Sequence, residues 1–187
     1  MYSGCDDHRR EEVHGAESFA ELDAGRKLVL WGMRVWVSGL HQDWPADRTS
    51  ETLQDGFAMA YAAAAIEPLG DMMSILAGGS CRQIAINCPR CPAVTEDEHL
   101  LLDLLALCQH RMTDRGGADR LDSFAGLAGA VMVPAAIRLF EGQAVRLAAI
   151  LAQFGVSVPV RQAEDGSLKS DAGTVRRYIH PAPANLQ

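Results

Sequence analysis

The sequence predicts an all-α protein, an irregular bundle of about five or six helices with an irregular cysteine-containing loop and an extended C-terminal tail. Three observations predict it. Apolar residues recur at helical spacing over most of residues 18–155. Two capping-box pairs, Ser18 with Glu21 and Thr95 with Glu98, stand in front of such stretches. Ile84-Ala85-Ile86 has strand character, but no second strand is evident, and a lone strand is marginal in water.

Taken in order, residues 1–17 are dense in charge without periodicity and read as a mobile leader. The pair Ser18/Glu21 predicts a helix start there, continuing to about His41. Its centre, Leu28–Leu40, is apolar almost all round, with Lys27, Arg34, Ser38 and His41 on one narrow polar stripe. Such a helix lies at the centre of a bundle or in a dimer interface. Gly32 and Gly39 share a face that lets another helix approach closely.

Residues 43–47 read as a loop, and Asp47 or Thr49 as the cap of a second helix running through Phe57, Met59 and Tyr61 into the alanines 62–65. Pro68 marks a kink or the first turn of a new helix. That helix carries Leu69, Met72, Met73 and Leu76, and Gly78-Gly79 ends it in a left-handed cap. Residues 80–93 form the irregular middle. Thr95 and Glu98 then open a deeply buried helix with Leu100, Leu101, Leu102, Leu104, Leu105, Leu107 and Cys108, in which Asp103 is the lone charge. Residues 113–117 form a loop, and Asp119 caps a short helix with Leu121, Phe124, Leu127 and Ala128. Pro134 opens a last helix that stops at Gly155. Residues 156–187 are rich in helix breakers and form the tail, part of it docked on the domain or a neighbouring subunit.

The chain has 187 residues, enough to bury a core without a disulfide or metal staple. Its formal charge of -7 argues against a nucleic-acid backbone as partner, which needs a basic face. No apolar run is long enough to span a bilayer, and the first ten residues carry no signal-peptide core, so a cytoplasmic location is expected.

Chemistry concentrates in the cysteines, Cys5, Cys81, Cys88, Cys91 and Cys108. Cys88-Pro89-Arg90-Cys91 is a C-x-x-C spacing, with Cys81 upstream and His99 on the following helix, leaning back towards the loop. Cys81, Cys88, Cys91 and His99 form a candidate tetrahedral zinc site, although a second close ligand pair is missing. Cys88 and Cys91 also form a candidate redox dithiol, whose thiolates Arg90 and the positive helix end favour. No βαβ pattern stands upstream, which disfavours a thioredoxin-like fold. A third reading treats the thiols as small packed hydrophobes, Cys108 above all.

Other constellations carry less. Glu11/His14 and Glu96/His99 have the Glu-x-x-His spacing of di-metal bundles, but the first pair falls in the leader. Glu51, Asp55, Glu67 and Asp71 read as a solvated helix face. Trp31, Trp36 and Trp44 line a core more readily than a pocket. His41 and Asp43 flank a loop and can pair at the surface. No phosphate-binding loop or nucleophile elbow is present. The leading expectation is a non-enzymatic interaction or regulatory module acting through helix surfaces and the tail. A protein partner or self-association into a homodimer is expected, without nucleic acid or membrane. The alternative is a zinc-binding or thiol-redox protein built on Cys81, Cys88, Cys91 and His99.

Overall fold

The computed structural model describes residues 17–41, 45–113 and 119–161. The expectations for residues 1–16, for Asp43 and Trp44, for residues 114–118 and for the tail beyond Arg161 lie outside them. The described residues form six helices and no strand, as expected for an all-α bundle. In order these are α1 (Ala24–His41), α2 (Ala46–Ala58), a 3-10 turn (Ala63–Ala65), α3 (Ile66–Gly79), α4 (Glu96–Thr113), α5 (Asp119–Gly129) and α6 (Pro134–Gln153). None is long and apolar enough to cross a membrane.

The centre is shared more widely than the sequence suggests. α1 packs on α2, α3 and α4, while α6 packs on α3, α4 and α5. Leu30 and Met33 of α1, Leu69 of α3, Leu102, Leu104 and Leu105 of α4, and Phe140 and Leu147 of α6 are fully buried. The last helix is thus as central as the two leucine-rich ones. The broad apolar surface of α1 is covered largely within the chain, so it does not by itself require a second copy. Gly32 meets Phe57 of α2 and Leu69 of α3, and Gly39 meets Thr49 of α2, which confirms the small-residue face.

Four local expectations are corrected. Ser18 and Glu21 do bond, the Ser18 amide donating to Glu21 Oε2 at 2.7 Å, but they close a turn and no helix starts there. The segment is diverted because Phe19 N–H donates to Pro92 O at 2.7 Å and Ser18 bridges to Ala93. α2 is preceded by Pro45 with no side-chain cap from Asp47 or Thr49. It also stops at Ala58, before the alanine run. Ala62 N–H reaches back to Phe57 O at 2.9 Å through a turn in which Tyr61 has φ +55°, and Ala62 and Ala65 are fully buried. Packing overrides alanine's helix propensity there, and Pro68 sits in the first turn of α3, where its missing N–H costs nothing. Gly79 does not form a left-handed cap; the residue after it, Ser80, is extended. The need for glycine is contact: a Cβ at 79 would stand 2.3 Å from Ala136 Cβ of α6.

The first residues of the expected tail pack on the bundle. Val158 is buried, its N–H donates to Gln109 Oε1 at 2.7 Å, and Gln109 Nε2 donates to Val156 O at 2.9 Å. Gly155, with φ +73°, ends the helical path as expected.

Candidate functional site

The amino end of α4 organises the thiol loop. Thr95 and Glu98 form the expected reciprocal box: Glu98 N–H donates to Thr95 Oγ1 at 3.1 Å, and Thr95 N–H to Glu98 Oε2 at 2.9 Å. Glu98 does more than cap. It is fully buried against the equally buried Arg34 of α1, which donates from Nε to Oε1 and from Nη2 to Oε2, both at 2.8 Å. Asn87 N–H also donates to Oε1, at 2.9 Å. A buried carboxylate is tolerated only when its lone pairs are satisfied in this way.

Arg34 carries the network into the loop. Its Nη1 donates to Cys91 O at 2.6 Å and its Nη2 to Ala93 O at 2.7 Å, while Asn87 Nδ2 donates to the same Ala93 carbonyl at 2.9 Å. The Phe19 ring lies 5.2 Å from the guanidinium carbon. Arg34, fully buried on the polar stripe of α1, is therefore the anchor of the cysteine loop.

Asp97 performs a parallel task. Arg82 binds it through both guanidinium nitrogens, and Ala85 N–H donates to its Oδ2 at 2.7 Å. The Arg82 bond holds the Asp97 carboxyl below its ordinary value; burial opposes this, and the Ala85 amide supports it. Thr95 Oγ1 donates to Ala85 O at 2.6 Å. Ala85, at the centre of segment 84–86, thus receives from Asp97 of α4 and from Thr95 just before it the bonds that a neighbouring strand would supply.

Within this frame Cys91 N–H donates to Cys88 O at 3.0 Å, so Cys88-Pro89-Arg90-Cys91 is a β-turn with proline at its second position. Cys88 and Cys91 are half-buried, Cys81 is exposed, and Cys108 is buried in α4. Burial pushes the Cys108 thiol up to about 12. Among the described residues no group of three or more His, Cys, Asp or Glu side chains is placed to hold a metal ion. His99 is buried with its Nδ1 lacking a hydrogen-bond partner and 3.8 Å from Glu17 Oε2. Burial and then the positive charge of Arg161 lower its pKa; Glu17 raises it, Arg26 lowers it and Glu96 raises it. Glu96 is exposed while His99 is buried, so this Glu-x-x-His pair does not share one environment. Glu51, Asp55, Glu67 and Asp71 are all exposed. Trp31 and Trp36 pack against the core.

A second feature lies at the carboxyl-terminal end of α4. A groove of about 470 Å³ runs between α4 and α6, lined by Cys108, Arg111 and Met112 on the former and by Arg138, Glu141, Gly142 and Val145 on the latter. Arg111 donates to Glu141 at 2.6 Å. Met112 and Val145 are exposed. Leu139, 65 % exposed, stands beside Gly142 on the surface of α6.

Reading the sequence missed Arg34, Glu98, Asp97 and Arg82 as one network, and it missed the groove. The signal for the first was Arg34 in the middle of an otherwise apolar stretch of α1, which needs a buried acid. The signal for the second was Arg138, Glu141, Gly142 and Val145 recurring at spacings of three and four. No protein-family model matches the chain, and neither a curated protein nor a solved structure shows significant similarity to it.

Proposed function

We propose that this chain is a non-enzymatic interaction module that receives a partner segment in the groove between α4 and α6. The observation that carries this reading is the groove itself, a concave site about 470 Å³ in volume with apolar side chains exposed along it. Exposed apolar surface around a concavity is the ordinary mark of an interaction site. The lining sets two guanidiniums, Arg111 and Arg138, against the single carboxylate of Glu141. That balance favours an occupant with an apolar anchor and a neighbouring acidic group, such as an acidic amphipathic helix. Elsewhere the buried charges are occupied in holding the fold, Arg34 with Glu98 and Arg26 with Asp103.

The test is selection of a displayed random-peptide library against the immobilised full chain. Selected sequences should combine an aliphatic or aromatic residue with Asp or Glu. Their binding should fall about tenfold or more in Val145→Glu, and also in Arg138→Glu, with melting temperatures unchanged because both sites are exposed. Selection of nothing, or binding indifferent to Val145→Glu, overturns the reading. A dimer in sedimentation that Val145→Glu dissociates also overturns it, since the occupant is then a second copy.

A further inference from the structure

We infer that Cys88 and Cys91 form a reversible dithiol–disulfide pair, oxidised by small disulfides of the glutathione class. This inference is independent of the groove. The argument begins with the turn. Cys91 N–H donates to Cys88 O at 3.0 Å, which makes the two cysteines the first and last residues of a β-turn. The ends of such a turn have Cα atoms within roughly 7 Å of each other, and disulfides span Cα separations of about 4.4–6.8 Å. The bond therefore needs side-chain rotation and little backbone movement.

The turn is also held in place. Pro89 fixes the backbone angle that the second position of such a turn uses. On one flank Asn87 N–H is bound by buried Glu98. On the other, buried Arg34 binds the carbonyls of Cys91 and Ala93. A turn fixed at both ends keeps its thiols at high effective concentration. Both cysteines are half-buried rather than sealed, so a small reagent can reach them, in contrast to Cys108 in the core.

The chemistry balances. One thiolate attacks a sulfur of the disulfide RSSR, forming a mixed disulfide and expelling RS⁻. The second cysteine thiolate attacks the protein sulfur of that mixed disulfide and expels the second RS⁻. The two protons given up by the cysteines end on the two RSH products. The dithiol loses two electrons and RSSR gains them.

The test equilibrates the full chain in glutathione buffers of graded redox ratio, stops exchange with acid, alkylates the remaining thiols in denaturant near neutral pH, and maps cysteine peptides by mass spectrometry. The expected result is a Cys88–Cys91 bond, formed with loss of two hydrogens and a single midpoint within the glutathione range, while Cys81 and Cys108 remain alkylatable. Cys91→Ser should instead stop at a mixed disulfide of glutathione on Cys88. Pro89→Gly, which loosens the turn, should shift the midpoint several-fold towards more oxidising ratios. Three results overturn the inference: both turn thiols stay alkylatable throughout, the bond that forms joins either of them to Cys5 or Cys81, or stoichiometric zinc in the isolated protein masks the pair.

Discussion

Glu98 has the most demanding position of any single residue. It caps α4, accepts an amide from the extended segment and neutralises an arginine that has no access to water. Removing one member of such a pair strands the other without compensation. Glu98→Ala should therefore lower stability by about 3–5 kcal/mol in urea denaturation. The paired replacement Arg34→Met with Glu98→Leu should cost less than Glu98→Ala alone, because no charge is left stranded. A loss below about 1 kcal/mol for Glu98→Ala would show that water can take over the carboxylate's bonds. Arg26 with Asp103, at 3.3 Å and with the acid less buried, is the weaker pair.

Among the elements, α4 bears the greatest burden, since its amino end holds the thiol loop, its leucines face the core and its carboxyl end lines the groove. Leu104 is fully buried within it, and Leu104→Ala should cost about 2–5 kcal/mol through the cavity it leaves. The junction of α3 with α6 depends on closeness instead. Gly79→Ala should cost about 1–3 kcal/mol by overpacking, and Ala136→Gly in the same chain should restore most of it, as thermal unfolding of the three variants would reveal. Elements were legible where periodicity and a cap agreed, as at Thr95–Glu98 before α4 and Pro134 before α6. They were misread where a distant contact decided the outcome. Ser18/Glu21 has the composition of a helix start, yet Pro92 and Ala93 claim that backbone. The alanines after α2 have high helical propensity, yet the core takes Ala62 and Ala65 at a turn. The cysteine spacing pointed to the loop as a place for chemistry, but its anchor, Arg34, lies 57 residues from Cys91 and no local pattern links them.

For the whole molecule, the two ends of the bundle meet at His99. Glu17 approaches from the amino-terminal side and Arg161 from the carboxyl-terminal side, with Arg26 of α1 and Glu96 of α4 completing the charges around the ring. Because burial holds this histidine's pKa below its ordinary 6.5, the unfolded chain takes up the proton first as pH falls. Stability should be level above about pH 7 and decline below about pH 6.5, until the folded state also protonates. The decline should be smaller in His99→Gln, measured as urea midpoints at pH 7 and pH 5.5. Asp97 acts in the same direction in a lower window: its depressed pKa adds stability that is lost only as pH falls below the ordinary carboxylate value of 3.8, so the two declines separate. The way α4 grips the loop has a further consequence for how this protein behaves when crowded with its own copies. The amides of Ala85 and Asn87 are already taken by Asp97 and Glu98. A short extended stretch with its amides exposed is a template for strand addition and aggregation; here that edge is blunted by two acids, which resist pairing with another chain as long as α4 stays formed.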